Sequence, residues 1–312
     1  MWTNELKDTM TTLSTRKIGA EPLRKSSQGW TGWLFVGPFM LVFALVFIAP
    51  VIYSIYLSLF RDQMVGGNKF VGLANYAQAL ADPQFWDSVA RVGIFLVVQV
   101  PLMLFIALFV ALAIDSGRLY LSSFFRISVF LPYAVPAVVA ALMWGFMYGA
   151  RFGLFGSINE FFSLDLPEPL SNSWILVSIG NIVTWEFVGY NMLIFYAALK
   201  VIPRDLYEAA SLDGAGAFRV IRSIKLPSIR GAIAIATIFS IIGSFQLFNE
   251  PNILKALAPN SISSYFTPNM YAYNLSFAGQ QFNYAAAIAM IMGLLTVVVA
   301  YVVQLTGTRK DS

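Results

Sequence analysis

Long apolar stretches recur six times along the chain and are separated by shorter polar segments. They cover about residues 34–57, 89–113, 124–147, 174–199, 231–249 and 284–305. A membrane-crossing helix needs about 20 mostly apolar residues, because each residue adds only about 1.5 Å. The stretches are apolar on all sides rather than alternating with polar residues, which excludes a transmembrane β-barrel. The pattern therefore predicts an all-α integral membrane protein with six transmembrane helices.

Positive charges are distributed unequally between the segments that join these helices. With a cytoplasmic N-terminus, fifteen of the twenty Lys and Arg residues fall on the inner side. The five on the outer side are Arg61, Lys69, Arg91, Arg151 and Lys255. Because cytoplasmic segments carry the excess of Lys and Arg, both termini are predicted to be cytoplasmic. The predicted organisation is a cytoplasmic tail (1–32), a transmembrane domain (33–306) and a second cytoplasmic tail (307–312).

The composition narrows the range of functions. Of the 312 residues, 58% are hydrophobic and 12% are charged, about half of the charged share of about 25% in soluble domains. The absence of Cys and His excludes thiolate nucleophiles, imidazole bases and the metal sites that need these residues. No phosphate-binding GxxxxGK[ST] loop is present. We therefore expect a non-enzymatic membrane protein with no catalytic residue, no metal and no cofactor of its own, and no nucleic-acid partner.

The inner segment between the fourth and fifth apolar stretches has strong helix signals. Pro203 suits the first turn of a helix, and Asp213-Gly214 suits its end. A second short helix is predicted over residues 217–224, ending before Leu226-Pro227 because a residue that precedes proline avoids helical geometry. The segment is thus predicted to be a compact helix–turn–helix on the cytoplasmic surface. Its apolar points for a partner are Leu206, Tyr207, Ala210 and Leu212.

The same segment resembles the EAA signature of ABC importer permeases. The matching residues are Glu208-Ala209-Ala210, Asp213-Gly214-Ala215 and Ile224-x-Leu226-Pro227. In that family the segment is the coupling helix, which sits in a cleft of the ATPase subunit. The resemblance implies that these residues couple the chain to an ATPase: Tyr207, Glu208, Ala209, Ala210, Asp213, Gly214 and Pro227.

Further stretches are similar to the carbohydrate branch of these permeases, specifically the maltose- or glycerol-phosphate-type first permease subunit. They include residues 70–76, Leu131-Pro132, Gly189-Tyr190-Asn191-Met192 and residues 282–287. The resemblance implies a type I ABC importer permease in the bacterial cytoplasmic (inner) membrane, with alternating access. The partners that it implies are a second permease subunit, a dimer of ATPase subunits that binds ATP and Mg²⁺, an extracytoplasmic solute-binding protein and membrane lipid. The solute that it implies is a disaccharide or oligosaccharide, with glycerol phosphate as the second choice.

Polar residues within the predicted spans are candidates for the substrate path, because burying them in a membrane is costly without a partner or a cavity. The candidates are Glu186, Gly189, Tyr190, Asn191, Ser240, Ser244, Gln246 and Leu247, of which Gly189, Tyr190, Ser240, Ser244 and Leu247 lie near path-lining positions of the family. The alternative is that the serine and asparagine side chains bond across helices. Glu186 faces either the path or a partner, and we expect no proton relay because the predicted spans contain no second acid.

Two other functions stay open on the residues alone. A gradient-driven secondary transporter or channel would show inverted repeats and paired intramembrane charges, and neither is evident. A membrane enzyme would need a cluster of catalytic groups, which the spans lack. The permease interpretation is favoured because its signature lies in the right loop and on the predicted cytoplasmic side.

Overall fold

The computed structural model describes residues 29–63, 67–117, 119–150 and 153–308. Most of the predicted tail 1–32 and residues 309–312 of the second tail lie outside the described residues, as does Arg151. The helices are α1 (Gly29–Phe43), α2 (Ala49–Ser58), α3 (Ala74–Ala81), α4 (Pro83–Asp115), α5 (Ser122–Phe130), α6 (Ala137–Met147), α7 (Leu154–Phe162), α8 (Ile175–Lys200), α9 (Arg204–Leu212), α10 (Ala217–Val220), α11 (Leu226–Ser228), α12 (Arg230–Phe245), α13 (Asn249–Leu254), α14 (Pro268–Phe277) and α15 (Phe282–Thr308).

The chain divides into two compact units, Met1–Ile52 and Tyr53–Ser312. The described part of the first unit is helical, and a π-helical turn (Ala44–Ile48) separates α1 from α2. This turn comes directly before Ala49-Pro50. A proline ring would collide with the carbonyl four residues earlier in a regular helix, and a widened turn relieves that collision. Proline is therefore accommodated here without ending the helix.

The predicted membrane spans are present as helices. Within the described ranges, five helical stretches are long and apolar enough to cross a membrane: Gly32–Ser58, Pro83–Asp115, Ile175–Lys200, Arg230–Leu254 and Phe282–Leu305. A bent pair of helices, Ser122–Ala134 and Ala137–Met147, supplies the sixth span. The prediction of an all-helical membrane protein with six spans is thus confirmed.

The third span is broken where its two prolines lie. Helix α5 passes into a 3-10 turn (Leu131–Ala134) that contains Pro132, and Pro136 precedes α6. The two halves meet at 99°. Proline removes a backbone donor and disturbs the preceding turn, which explains why the helix breaks at Pro132 and Pro136.

Helices α4, α8 and α12 form the centre of the second unit. Small and apolar side chains of α4, Ala107 and Ala111, pack in one cluster with Met192 and Phe195 of α8 and Ala236 of α12. Helix α15 packs against α12 and α14 on the other side of this centre. Without water to drive association, close van der Waals packing through small residues is what holds membrane helices together.

The segment after α8 forms the predicted hairpin, with one difference. Helix α10 continues through a π-helical turn (Ile221–Lys225) into α11, so the second helix does not end before Leu226-Pro227. The prediction of an end at residue 224 is wrong. The physical reason is the same as at Pro50: the wide turn lies directly before the residue that precedes the proline and removes the clash that would stop a regular helix.

A two-stranded antiparallel hairpin lies in the first outer segment and was not predicted. Its strands are β1 (Phe60–Gln63) and β2 (Gly67–Phe70). Asn75 of α3 holds it, since its side-chain amide donates to the carbonyls of Ser58 at 2.8 Å and Phe60 at 2.7 Å. Four-residue strands are too short to produce a recognisable alternation of polar and apolar residues.

Candidate functional site

The end of helix α9 is defined by its backbone. Gly214 adopts a left-handed conformation with φ of 68°, which non-glycine residues rarely adopt. The N–H of Ala215 donates to the carbonyl of Ala210 at 2.9 Å, and the N–H of Asp213 donates to that of Ala209 at 3.1 Å. These bonds satisfy carbonyls at the end of the helix. The predicted stop at Asp213-Gly214 is therefore present and fixes how the two halves of the hairpin turn.

The predicted coupling residues are mostly on the surface of this hairpin. Five are exposed, one (Ala210) is partly buried, and one (Tyr207) packs into the apolar cluster at the end of α4 and α8. The exposed five are Glu208, Ala209, Asp213, Gly214 and Pro227. Tyr207 thus lies towards its own chain rather than towards a partner, and burial raises the pKa of its hydroxyl.

Large apolar side chains are exposed on the same hairpin. Leu212 is 90% exposed and Phe218 is 76% exposed. Exposed apolar groups on a surface that also carries charge are typical of a protein-binding site. The sequence analysis did not include Phe218 among the apolar points of the hairpin, although a large aromatic side chain beside Arg219 was a usable signal.

An ionic node that the sequence did not reveal joins the hairpin to two spans. Asp115, the last residue of α4, accepts from Lys200 at 2.9 Å and from Lys225 at 2.7 Å. Lys200 ends α8, and Lys225 lies in the π-helical turn of the hairpin. The rings of Tyr196 and Tyr207 lie over the two lysine ammonium groups at 5.1 and 5.6 Å.

A cavity of about 290 Å³ lies between α4, α6, α8, α12 and α13. This volume is at the lower end of the range for ligand pockets, about 300–1,000 Å³. Six of the eight predicted path residues line it: Tyr190, Asn191, Ser240, Ser244, Gln246 and Leu247. It is also lined by five aromatic rings, those of Phe95, Phe187, Tyr190, Phe239 and Phe248.

Hydrogen bonds of the cavity-lining polar residues run mainly within single helices. The Asn191 amide donates to the carbonyl of Phe187 at 3.0 Å, and the Ser244 hydroxyl donates to that of Ser240 at 2.9 Å. Tyr190 stacks on Tyr133 with ring centroids 4.8 Å apart. Bonds to the same helix leave acceptor oxygens on these side chains, so the cavity keeps hydrogen-bonding capacity.

Glu186 has a second acid beside it, contrary to expectation. The span that includes α12 continues to Leu254 and so contains Glu250, whose carboxyl group lies beside that of Glu186. The expectation that the spans hold no second acid is wrong, because Glu250 lies in α13, beyond a short break in the helix. Glu250 lines the cavity, whereas Glu186 does not. Among the described residues, Glu186 Oε2 and Gln99 Oε1 are buried without a hydrogen-bond partner.

Gly189 also lies away from the cavity lining. A Cβ atom at this position would be 2.1 Å from the carbonyl oxygen of Val129 and 2.7 Å from Cα of Phe130. Glycine is therefore required for the close approach of α8 to the end of α5. Its part in the path stays a prediction, and its position indicates a packing role.

An outer cluster is centred on Asp82, which caps α4 by accepting from the N–H of Gln84 at 2.9 Å. The hydroxyl groups of Tyr271 and Tyr284 also donate to its carboxylate, at 2.5 and 2.8 Å. Burial acts to raise the pKa of Asp82, but these hydrogen bonds outweigh burial and hold the pKa below its usual range. The cluster fastens α14 and α15 to the start of α4.

Comparisons with known proteins agree with this geometry. The family model described as "Binding-protein-dependent transport system inner membrane component" matches residues 71–311. The chain is 33% identical over 279 residues to the lactose transport system permease protein LacF of Rhizobium radiobacter, covering 86% of this chain and 91% of that protein. It is 34% identical over 255 residues to the diacetylchitobiose uptake system permease protein NgcF of Streptomyces coelicolor, covering 76% of this chain and 70% of that protein.

A solved structure has the same fold. It is a bacterial ABC transporter that imports the acidic polysaccharide alginate, and one of its chains superposes with a TM-score of 0.80 at 18% identity. The superposition covers 91% of this chain and 96% of that chain. The matched family, the helices that span the membrane and the shared fold together show that this chain is an inner-membrane permease component of the binding-protein-dependent ABC transport family.

Proposed function

We propose that the chain is one of two permease subunits of an ATP-driven importer for a neutral disaccharide or oligosaccharide. The observation that carries the proposal is the cavity, where hydroxyl and amide groups stand beside aromatic rings. Sugars need hydrogen bonds for their hydroxyl groups and apolar faces for their rings. The relatives named for lactose and diacetylchitobiose carry neutral sugars, which supports the same class here.

The charge of the cavity favours a neutral solute over glycerol phosphate. Among the described residues that line it, none is Lys or Arg, and Glu250 is the one charged residue type present. A phosphate or carboxylate group in a low-dielectric site requires a cation or several N–H donors. An anionic solute would instead meet the acid of Glu250.

In the proposed mechanism, two ATPase subunits bind ATP and Mg²⁺ and close on each other. The exposed face of the hairpin, with Glu208 and Leu212, follows that movement in a cleft of one ATPase subunit. The spans then alternate between inward- and outward-open states, and an external binding protein delivers the sugar. This chain supplies part of the solute path and the surface that contacts the ATPase, whereas the ATPase subunits hydrolyse ATP.

Reconstitution tests the proposal. The chain is purified with its partner permease and ATPase, placed in liposomes, and supplied with the binding protein and labelled lactose, diacetylchitobiose or glycerol 3-phosphate. We expect uptake of a neutral sugar that requires internal ATP, and no uptake of glycerol 3-phosphate. Uptake driven by an ion gradient without nucleotide would instead support a secondary transporter.

A charge reversal tests the coupling contact. Glu208→Lys on the exposed hairpin is expected to abolish ATP-dependent uptake and to reduce co-purification of the ATPase. The matched control is Glu168→Lys, a charge reversal at an exposed residue of an outer segment, which should leave co-purification unchanged. Equal co-purification of both variants with full uptake would contradict the assigned contact.

A further inference from the structure

The ionic node of Asp115, Lys200 and Lys225 joins three separate elements at one carboxylate. Oδ1 of Asp115 lies 2.9 Å from the ammonium nitrogen of Lys200, and Oδ2 lies 2.7 Å from that of Lys225. Each oxygen therefore holds a different lysine. The three residues are the last residue of α4, the last residue of α8 and the last residue of the π-helical turn in the hairpin. The carboxylate of Asp115 thus connects the hairpin with the ends of two spans.

The two lysines differ in burial. The side chains of Asp115 and Lys225 are only 8% and 11% exposed, whereas that of Lys200 is 54% exposed. A buried ion pair is costly to break, because removing one partner leaves an uncompensated charge. The bond between Asp115 and Lys225 is therefore the part of the node that persists when the hairpin moves, and Lys200 contributes a weaker, solvent-screened contact.

Helix electrostatics do not explain the acid. Asp115 lies in the last turn of α4, where the helix dipole is negative and disfavours a carboxylate. Lys200, by contrast, lies at the end of α8, where a cation is favoured. Asp115 is thus at an unfavourable place for its own helix, and its partners on other elements compensate for it. Its placement suits a link between elements rather than a helix cap.

Aromatic rings restrict the node from both sides. Tyr207 of α9 lies over Lys225 at 5.6 Å, so both halves of the hairpin are attached to the same point. A further charged group, Arg126 of α5, lies over Tyr196 at 5.4 Å and also donates to its hydroxyl at 3.5 Å. The ring of Tyr196 also lies under the ammonium group of Lys200. Tyr196 therefore connects α5, the first half of the broken third span, to the node.

We infer that Asp115 is a positioning residue for energy coupling, which transmits movement of the hairpin to the end of the second span through its bond to Lys225. The inference rests on the proposed function, because it needs the hairpin to follow an ATPase. The tyrosine rings and lysine charges around the carboxylate of Asp115 make the hairpin and the span ends move together instead of sliding past each other.

The test uses the full reconstituted complex with its binding protein and a mixture of labelled lactose and diacetylchitobiose. The amount of sugar taken up per ATP hydrolysed is measured for Asp115→Asn, for Lys225→Met and for the neutral double variant, which combines these two substitutions. We expect uptake per ATP to fall about tenfold in each, while the ATPase subunits stay bound. Lys200→Met is the matched lysine control, and its ratio should change less than twofold.

The neutral double variant separates linkage from folding, since it leaves no unpaired buried charge. If it assembles and couples like the wild type, the ion pair serves folding alone and the inference is overturned. The exchanged pair, Asp115→Lys with Lys225→Asp, is made together with Lys200→Met, because Lys200 would otherwise repel a lysine at position 115. It should recover part of the coupling, and recovery of assembly without coupling would also overturn the inference. Absence of ATP-dependent uptake in the wild type would overturn the proposed function, and the inference with it. If only the inference fails, wild-type uptake stays intact and the variants couple like the wild type.

Discussion

Two buried acids of this permease have opposite surroundings. At the predicted cytoplasmic end, Asp115 is held by two lysines at 2.9 and 2.7 Å. Behind the cavity lining, Glu186 lies beside another acid, Glu250. The first acid thus joins elements through its ion pairs, whereas the second lies beside another acid and forms no ion pair among the described residues.

The difference indicates that the two regions have different roles in transport. Each carboxylate oxygen of Asp115 has a lysine partner, whereas Gln99 Oε1 in the cavity lining and Glu186 Oε2 behind it have no hydrogen-bond partner among the described residues. Buried polar atoms without partners are rare in native proteins and are often found where a ligand or water binds. The region of the node is suited to transmit force, and the region of the cavity is suited to receive hydroxyl groups.

The largest expected effect tests the node itself. Asp115→Asn leaves Lys225 buried with a neutral partner and should destabilise the chain by about 3 kcal/mol, the lower end of the range for broken buried ion pairs. The measurement is the midpoint of thermal unfolding in detergent. Asp87→Asn, at an exposed position of the same helix, is the control. An unchanged midpoint for Asp115→Asn would show that the node is not a structural link.

Gly189→Ala tests the close packing of α8 against the end of α5. A methyl group here would lie 2.1 Å from a backbone oxygen, and neither backbone can yield easily. We expect about 1–3 kcal/mol of destabilisation from overpacking and a lower yield of folded protein by size-exclusion chromatography. Gly231→Ala, where nothing lies within 4 Å of the new atom, should be neutral. A tolerated Gly189→Ala would mean that α5 and α8 can separate without loss.

Glu186→Gln is the matched counterpart of Asp115→Asn, and it should cost about 1 kcal/mol or less. The amide has nearly the shape of the carboxyl group, and its introduction leaves no buried cation without a partner, because Glu186 pairs with no Lys or Arg among the described residues. The same detergent unfolding assay compares the two amide substitutions directly. A loss as large as that of Asp115→Asn would show that Glu186 is ionised and paired, which would remove the contrast between the two regions.

The sequence predicted the hairpin better than the ionic node or the pair of acids. The signals of the hairpin lie between neighbouring residues, whereas the other contacts join residues far apart in the chain. The hairpin was predicted through neighbouring residues, such as Pro203 and Asp213-Gly214, whose effects are local. The bond of Asp115 to Lys225 joins residues 110 positions apart, and no local pattern records it. Glu250 was missed because a charge was assumed to end the fifth span, whereas α13 continues that span after a short break.

The smallest expected effect concerns a third acid, Asp82, which is held by neutral donors instead of cations. Tyrosine hydroxyl and backbone N–H groups keep its pKa below the usual value in the folded state. The stabilisation is therefore complete above the unfolded pKa, about 3.9, and is lost as the pH falls through the lower folded value. Asp82→Asn should reduce the unfolding midpoint modestly at pH 7, and the difference from the wild type should shrink as the pH falls below about 4. A difference that stays constant from pH 7 to pH 3 would show that the charge of the Asp82 carboxylate contributes nothing to stability. Tyrosine hydroxyl donors would then not hold the outer helices through this charge in the way that lysines hold the inner hairpin at Asp115.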